Sequence, residues 1–404
     1  LGGASDTDWA PTKYGEFAAT SVPAYRAVMA RVNAVRSAPL LVYKRMLDDM
    51  PQPVAADHPA QQLLSSVNRW WTASDLVAAT EMYLSLWGSC YWFLEGATAG
   101  RVPTRIWPLR PDKTRVVPGA VSRDGSQPEY IAGFQYEDGA RRLAFLPEEI
   151  IWFRYINPLN EYAGLSPVAA GRLSLEMGRS ALRYDTAFFT NGAMTSDVVW
   201  MVEGPLDDEQ VKDFYARLEK RSKGVDQAHK PMLWDLSTGE GPKRLGLSQR
   251  DMEFMETLRF TVQEAARIWG VPPPMLMSEA SSTYNNVKEA RIQFYTETVS
   301  EEWDFIAAEL NEMLMPRFGP DLFVAFDRSR ILPLQEAMAE LDEKDLNKVR
   351  AGTLTINEYR SSRNLPPAPW GDVWWVPAGT TVVTDENPPE AFPSLGAEGG
   401  MESI

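Results

Sequence analysis

Ala265-Ala-Arg-Ile-Trp-Gly-Val-Pro-Pro273 joins the last turn of an amphipathic helix to a sequence that ends it. Apolar residues recur at helical spacing before this point, which predicts a helix over residues 248–269. The residues in phase are Met252, Met255, Leu258, Val262, Ala265 and Ala266. Gly270 is a typical helix stop, and the prolines from Pro272 to Pro274 should prevent the helix from resuming.

The sequence after this turn predicts a loop and then one long helix. Residues 278–286 are small and polar and indicate a loop. A helical pattern then runs over residues 287–315 and is broken by Pro316. At 1.5 Å per residue, such a helix spans about 43 Å.

The sequence before the turn predicts a second long helix and a compact insert. Ser166-Pro167 is an N-cap followed by proline at the first helical position, and Asn191-Gly192 supplies a stop, so a helix is expected over residues 167–190. The insert that follows contains a helix beginning near Asp207 and short strands near residues 198–202 and 232–234. Residues 204–246 hold eight acidic and eight basic side chains, so the insert is neutral.

The first 165 residues mix helices and strands. Ser21 and Pro23 can open a helix, and residues 40–43 indicate a strand. Residues 72–75 should cap a helix that reaches Trp87. Short strands are predicted over residues 90–94, 105–107, 114–117, 130–136, 143–145 and 150–153, with Asp138-Gly139 as a hairpin turn.

The last part of the chain predicts a helical pair and a tail. One helix carries Leu334, Met338, Leu341, Leu346 and Val349 and stops at Gly352, and the next opens with a capping box at Thr355 and Glu358. From Pro377 the sequence is rich in Pro, Gly and Glu, which is typical of a mobile tail. The fold class predicted for the whole chain is α+β.

The charge balance limits the mode of any DNA binding. The formal net charge is −15, and residues 301–345 contain twelve acidic against four basic side chains. A protein that grips DNA tightly usually presents a basic face. We therefore expect DNA to slide past this chain and not to be clamped, since few phosphates would be neutralised. No apolar run is long enough to span a bilayer, and no secretory signal is expected. Because the chain begins with Leu1, its natural start is expected upstream.

Cysteine and histidine are scarce. Cys90 lies in an apolar stretch and is expected to be a buried, inert thiol and not a nucleophile. His58 and His229 lie far apart in polar contexts. We therefore expect no metal site and no cofactor.

Motifs for catalysis are missing from the sequence. It contains no Gly-Lys-Ser/Thr phosphate loop, no Gly-x-Ser-x-Gly elbow and no HExxH. Gly239-Glu-Gly241-Pro resembles a dinucleotide loop, but Arg244 stands at the third glycine and a turn is favoured. The pairs Glu148-Glu149 and Asp207-Asp208 are more typical of helix starts than of acid–base chemistry. The sequence predicts that the chain is not an enzyme.

Several short motifs occur in the order of one known family. They are Gly164-Leu-Ser-Pro167, Ala187-Phe-Phe-Thr-Asn-Gly192, Gly204-Pro-Leu-Asp-Asp-Glu-Gln210, Ala265-Ala-Arg-Ile-Trp-Gly-Val-Pro-Pro273, Thr283-Tyr-Asn-Asn286, Thr353-Leu-Thr-Ile-Asn-Glu-Tyr-Arg360 and Asn364-Leu-Pro-Pro367. Together they resemble the portal, or head-to-tail connector, proteins of tailed double-stranded DNA bacteriophages. Two places depart from the family pattern: residues 193–196 lack the usual proline and glycine, and residues 275–277 lack a glycine.

The resemblance implies a division of the chain into the parts of a portal subunit. These are an α/β wing (1–165), a stem helix (166–191), a clip (192–247), a second stem helix (248–270), a channel loop (271–286), a long helix with a return to the wing (287–330), a helical crown (331–376) and a disordered tail (377–404). It also implies a ring, typically of twelve subunits, at one capsid vertex. The ring would dock the packaging terminase, a head-completion or adaptor protein and the major capsid protein, in the host cytoplasm during assembly and then in the virion.

The resemblance also assigns candidate site residues. The channel loop would touch passing DNA non-specifically through Ser278, Ser281, Ser282, Thr283, Asn285 and Asn286, while Tyr284 would either contact DNA or pack against a neighbour. The stem would place Arg172, Arg179, Arg183 and Arg259 either toward the channel or in salt bridges between subunits. The clip would bind partners through Asp207, Asp208, Phe214, Lys220, Arg221, Lys223, Lys243 and Arg244.

Two other functions stay open at this point. One is a DNA-processing enzyme, such as a metal-dependent nuclease, which would need clustered carboxylates for Mg²⁺. The other is a different head-to-tail or minor capsid component. The sequence does not distinguish a phage from a gene-transfer agent.

Overall fold

The computed structural model describes residues 13–46, 51–97, 101–119, 130–190, 198–199, 207–209, 212, 243–244, 250–276, 284–363 and 365–372. The chain divides between Ile331 and Leu332 into two compact units. The described part of the first unit combines helices with small antiparallel sheets, whereas that of the second unit is helical. The predicted α+β class is confirmed.

The described α-helices of the first unit lie before residue 88 or after residue 166. They are α1 (Tyr14–Thr20), α2 (Val22–Val35), α3 (Pro59–Ser65), α4 (Ala73–Trp87), α5 (Pro167–Ala170), α6 (Arg172–Thr190), α7 (Arg250–Trp269), α8 (Pro273–Leu276), α9 (Tyr284–Gln293) and α10 (Ser300–Met313). The sequence did not predict α1 or α3. The helix expected over residues 167–190 is interrupted at Gly171, which separates α5 from α6.

The strands that the structure describes in the first unit form three sheets and one short pair. They are β1 (Leu40–Lys44), β2 (Gln52–Pro53), β3 (Ser89–Glu95), β4 (Arg105–Leu109), β5 (Thr114–Pro118), β6 (Ile131–Asp138), β7 (Arg141–Phe145), β8 (Ile150–Arg154), β9 (Val198–Val199), β10 (Lys243–Arg244) and β11 (Leu322–Phe326). The strand orders are β11-β1-β2, β4-β3-β8, β5-β6-β7 and β10-β9, and all the neighbours are antiparallel. The predicted hairpin is present, with Asp138 opposite Arg141 and Gly139 at φ 60°.

An aromatic cluster joins two of these sheets. The rings of Tyr91 on β3 and Trp152 on β8 stack with centroids 6.0 Å apart, and Phe134 on β6 meets both edge-on. Tyr91, Phe134, Ile150 and Trp152 are all buried. On the other face of β3, the Trp92 indole donates to the Thr80 hydroxyl of α4 at 2.8 Å. The alternating residues of one strand therefore bind a sheet on one side and a helix on the other.

The ends of α4 are fixed by local chemistry that the sequence predicted in part. Thr72 and Asp75 form the expected capping box. Gly88 ends the helix at φ 67°, and a Cβ there would lie 2.1 Å from the carbonyl oxygen of Leu165. Only glycine allows this conformation together with so close an approach. The segment that leads into α5 therefore lies directly against the end of α4.

Helices α6 and α7 pack at very short range. A Cβ on Gly178 would lie 2.5 Å from the Thr261 side chain, and one on Gly171 would lie 2.2 Å from Ile268. Leu175, between the two glycines, is buried. The Ser174 hydroxyl donates to the Glu264 carboxylate at 2.8 Å across the same contact. Gly171, just before α6, and Gly178 within it leave this face of α6 flat, and α7 lies on it.

The long helix after the turn is continuous but not regular. It begins with α9 at Tyr284, earlier than predicted, and passes through a π-helical segment (Phe294–Val299) into α10. At the end of that segment the Ser300 N–H donates to the Tyr295 carbonyl, five residues back. The prediction that the proline run prevents helix is wrong. Pro273 and Pro274 occupy the first turn of the short α8, where no intrahelical N–H bond is needed.

Strand β11 returns the chain to its beginning. It pairs with β1 from Leu40 opposite Phe326 to Lys44 opposite Leu322. The Asn311 side chain of α10 binds both the N–H and the carbonyl of Val324, at 2.7 and 3.0 Å. The sequence did not predict this strand, because five apolar residues after a helix give no sign of their partner.

In the described part of the second unit there are two helices, α11 (Leu332–Arg350) and α12 (Ile356–Ser362). The predicted capping box at Thr355 and Glu358 is present. Arg363 forms ion pairs with Asp342 and Asp345 of α11. The predictions for the tail after Pro377, for most of the insert and for the strand near residues 232–234 fall outside the described residues.

Candidate functional site

One guanidinium group connects four separate parts of the first unit. Arg31 of α2 donates to the Glu81 carboxylate of α4 at 2.6 Å and to the Glu302 carboxylate of α10 at 2.6 Å. It also donates to the hydroxyl of Tyr155, just after β8, at 3.2 Å, and to the Trp269 carbonyl at 3.1 Å. The Trp269 carbonyl is the last of α7. Arg31 thus holds the helical end of the predicted stem against the predicted wing.

Two carboxyl groups share this one arginine. Glu81 is fully buried, and the Ser85 hydroxyl donates to its Oε1 at 2.6 Å. The Glu302 carboxylate accepts from the Tyr155 hydroxyl at 2.9 Å. Burial raises the pKa of Glu302 to about 8, with the negative charge of Glu81 adding to the effect and Arg31 opposing it. Glu302 therefore binds a proton more readily than an exposed glutamate would.

The turn after α7 is held on both sides. The Trp269 indole donates to the Ser85 carbonyl at 2.9 Å, which anchors the end of the helix in α4. Gly270 follows at φ 63°, and its carbonyl accepts a hydrogen bond from the Thr298 hydroxyl at 2.8 Å. Thr298 belongs to the π-helical segment of the long helix. The two arms of the predicted channel loop are therefore fixed to each other at their base.

Two cavities flank this base. One of about 510 Å³ lies between α7 and the π-helical segment and is lined by Ala266, Val271, Pro272 and Phe294 among others. The other, of about 410 Å³, is lined by the Arg31 cluster together with Ile268, Glu301 and Phe305.

The predicted stem arginines do not share one environment. Arg179, Arg183 and Arg259 are exposed. Arg172 is half-buried at the start of α6, where its charge opposes the rise that burial causes in the pKa of Tyr14. Exposed arginines remain compatible with a channel wall or a contact between subunits, whereas Arg172 lies beside the first helix of the chain.

The predicted channel loop is shorter than expected. Asn285 and Asn286 lie in the first turn of α9, and so does the backbone of Tyr284, because the polar residues continue directly into a helical pattern. Ser278, Ser281, Ser282 and Thr283 fall outside the described residues. Their role at the channel stays a prediction.

The predicted clip is described at a few positions only. Asp207 and Asp208 are exposed, with Asp208 in a helical turn, and the strand of Lys243 and Arg244 pairs with Val198 and Val199. Phe214, Lys220, Arg221 and Lys223 fall outside the described residues. The strand pair brings together residues 198–199 and 243–244, which lie near the two ends of the insert in the sequence.

Sequence reasoning missed the Arg31 cluster. Its members are an arginine on an apolar helix, a glutamate between Thr80 and Met82, a tyrosine after a strand and a glutamate in an acidic helix. Glu81 carried a usable signal, because it falls on the apolar face formed by Val77 and Leu84. Arg31 and Glu302 carried no such signal, since they lie 50 and 221 residues away from Glu81 in the chain.

Other kinds of site are not seen in the described residues. No three His, Cys, Asp or Glu side chains are grouped there so as to hold a metal ion. Among the helices that the structure describes, none has the length and apolar character to cross a membrane. Cys90 is buried, as predicted, and burial raises the pKa of its thiol to about 12.

Comparison with known proteins decides the family. A model of the phage portal protein family matches residues 23–364. The chain belongs to the phage portal protein family. The portal protein of Enterobacteria phage HK97 is 24% identical over 86% of this chain and 79% of its own length. The predicted family is confirmed, and with it the predicted role as a structural portal subunit. The matching family is one of structural proteins.

Two further relatives extend this result. An uncharacterized protein of Rickettsia felis is 31% identical over 55% of this chain, and the alignment spans 57% of that protein's length. The neck of a native gene transfer agent particle, computed with C12 symmetry, contains a chain that is 26% identical. That likeness covers 91% of this portal protein and 95% of the neck chain, with a TM-score of 0.62.

Proposed function

We propose that twelve copies of this portal protein form a ring at one capsid vertex, through which double-stranded DNA enters and leaves the particle. The observation that carries the proposal is the similarity, over nine-tenths of the chain, to a subunit of a neck with C12 symmetry. Family membership over residues 23–364 supports the same function.

The packed helix pair α6 and α7 is the proposed stem, and the sheets with α2, α4 and α10 form the wing. The glycine face of α6 supports this assignment, because it makes the two helices a single rigid column. The Arg31 cluster fixes that column to the wing. Residues 192–247 are the proposed clip, and residues 331–376 the crown.

The negative charge of the chain supports the proposed passage of DNA through the ring. The chain carries a net charge of −15, with twelve acidic residues between Glu301 and Asp345. A ring with an acidic inner wall repels phosphates and keeps DNA near the axis, so DNA moves with little friction. The small polar residues of the channel loop can touch the duplex without gripping it.

The partners we propose are the packaging terminase and a head-completion or adaptor protein at the clip, and the major capsid protein at the wing. A neutral clip supports sequential use by two partners, since no large charge has to be matched. Assembly would take place in the host cytoplasm, and the ring would end in the virion or in a gene transfer agent particle.

The test is the mass and shape of the purified protein. Native mass spectrometry should give twelve copies, and negative-stain images of the same sample should show a central hole, a narrow stem and a wide wing. A stable dimer or tetramer without a hole would contradict the proposal.

We also propose that the chain has no catalytic activity of its own. The sequence lacks nucleotide-binding and hydrolase motifs. Linear and circular duplex DNA incubated with the protein and Mg²⁺ should stay intact. Cleavage that is abolished by EDTA would support the nuclease alternative.

A further inference from the structure

Residues 156–162, which we name the braced loop, connect β8 to the helices of the stem. Two aliphatic side chains at its tip are almost completely exposed: Ile156 at 90% and Leu159 at 89%. These are the highest exposures among the large apolar side chains of the described residues. Two such side chains, three residues apart on one loop, offer an apolar contact to a partner.

The backbone of the braced loop is held by its own asparagines. The Leu159 N–H donates to the Asn157 side chain at 3.0 Å, and the Tyr162 N–H donates to the Asn160 side chain at 2.9 Å. These are local turns in which an asparagine side chain replaces a backbone acceptor. The tip therefore has a defined shape without any partner.

The rest of the first unit supports the loop from below. The Arg154 guanidinium donates to the Glu161 carbonyl at 2.6 Å and lies 4.3 Å above the Trp152 ring. The rings of Tyr130 and Tyr162 stack with centroids 5.4 Å apart. The loop is thus preorganised, so binding through Ile156 and Leu159 has little ordering cost.

Charge indicates what kind of partner covers the tip. Each copy of the chain carries a net charge of −15, so two copies repel each other overall, although single ion pairs between them can still form. Glu161 is the one charged side chain of the braced loop, and residues 156–160 at its tip carry none. The tip is therefore suited to contact a second copy of this acidic chain, and it offers no cation to DNA.

We infer that the braced loop of each subunit docks on the neighbouring subunit and buries Ile156 and Leu159 there. This rests on the proposed ring, because a ring with rotational symmetry requires every subunit to present one surface to the next copy and a different surface to the previous one. The braced loop supplies apolar contact on one of these two sides.

The first test compares two double variants with the wild type. One carries Ile156→Ser and Leu159→Ser. The control carries Val22→Ser and Trp70→Ser, which remove two other exposed apolar side chains of the same unit. Sedimentation velocity over a concentration series should show that the loop variant needs at least about 100-fold more protein than the wild type to form rings, while the control needs about the same. Thermal unfolding should show that all three are folded.

The second test identifies the partner directly. A photoreactive phenylalanine analogue at position 159 should cross-link subunits of wild-type rings into dimers and higher multimers on a denaturing gel. Cross-linking in assembled particles to the capsid protein alone would overturn the inference, as would rings of the loop variant at the wild-type concentration. In both cases the proposed ring would stand. If neither the wild type nor any variant forms rings, even when produced with the capsid proteins, the proposed function itself fails.

Discussion

Arg31 and Glu302 lie 2.6 Å apart, although 271 residues separate them in the chain. The contact links α2, near the start of the wing, to the long helix that follows the channel loop. Because Glu81 also binds Arg31, the cluster contains one more carboxyl group than its single guanidinium can neutralise. This excess makes the stability of the stem–wing connection depend on pH.

Stability should fall as pH rises from about 5 to about 8. Burial, with the charge of Glu81, raises the pKa of Glu302 from 4.5 to about 8, so the native state keeps a proton that the unfolded chain loses above its own lower pKa. Where the native state binds more protons than the unfolded state, the free energy of unfolding decreases with pH. Glu302→Gln keeps the neutral form at all pH values and should flatten this slope. Urea unfolding at pH 5.5, 7 and 8.5 measures it.

The matched control for this prediction is Glu301→Gln. Glu301 is the preceding residue and is exposed. This variant should keep the wild-type pH dependence. An unchanged slope in the Glu302 variant would show that another group titrates.

Removal of the arginine should be far more damaging than removal of the proton. Arg31→Met leaves Glu81 and Glu302 buried without a cation and should lower the free energy of unfolding by about 3–5 kcal/mol. Arg31→Lys should recover part of the loss, because a lysine has one charge but cannot reach all four acceptors. Arg26→Met, on the exposed side of the same helix, is the control and should change the free energy by less than about 0.5 kcal/mol.

The contact between α6 and α7 should be intolerant of a single methyl group. Gly178→Ala places a Cβ 2.5 Å from Cγ2 and Oγ1 of Thr261 and should destabilise the protein by about 1–3 kcal/mol. In an exposed helix the same change would be stabilising. Thr261→Ala removes both atoms, so the double variant should regain most of the loss in a double-mutant cycle. Additive effects of the two changes would argue against this contact.

Cys90 should react only when the protein unfolds. Its thiol is buried, and burial raises its pKa to about 12, so almost no thiolate exists at pH 8. Alkylation by iodoacetamide, followed by mass spectrometry, should be complete in 6 M guanidinium chloride and negligible in buffer. Rapid labelling of the folded protein would contradict the burial of this residue.

The channel loop can be tested apart from ring assembly. Replacement of residues 278–283 by glycines leaves the residues of α9 unchanged, including Asn285 and Asn286, and removes the side chains before it that are proposed to touch DNA. Rings should form normally, while the amount of DNA packaged or retained by particles should decrease. The control is Arg26→Met, a change at an exposed position of α2, which should leave both ring formation and the amount of packaged DNA unchanged. Loss of rings in the glycine variant would contradict the assignment of this loop to the channel.

The local elements follow from short-range sequence signals. The capping boxes at Thr72 and Thr355, the Asp138-Gly139 hairpin and the stop at Gly270 each depend on residues within one turn of each other, and the structure contains all of them. The same holds for α7 and α10, whose apolar periodicity is long. The family was identifiable because its motifs stand in order along the chain.

What the sequence by itself determined is therefore most of the helices and strands, their order and the family, while α1, α3 and β11 were missed. Only the tertiary structure decided which of them meet. Strand β11 pairs with β1, and Gly178 packs closely against Thr261. Arg31 joins Glu81, Glu302 and the end of α7. The physical reason is the separation along the chain of the residues that interact. Helix capping, turns and periodicity act between neighbours in the chain, whereas an ion pair or a close glycine contact depends on two distant segments, and neither segment alone carries a sign of the other.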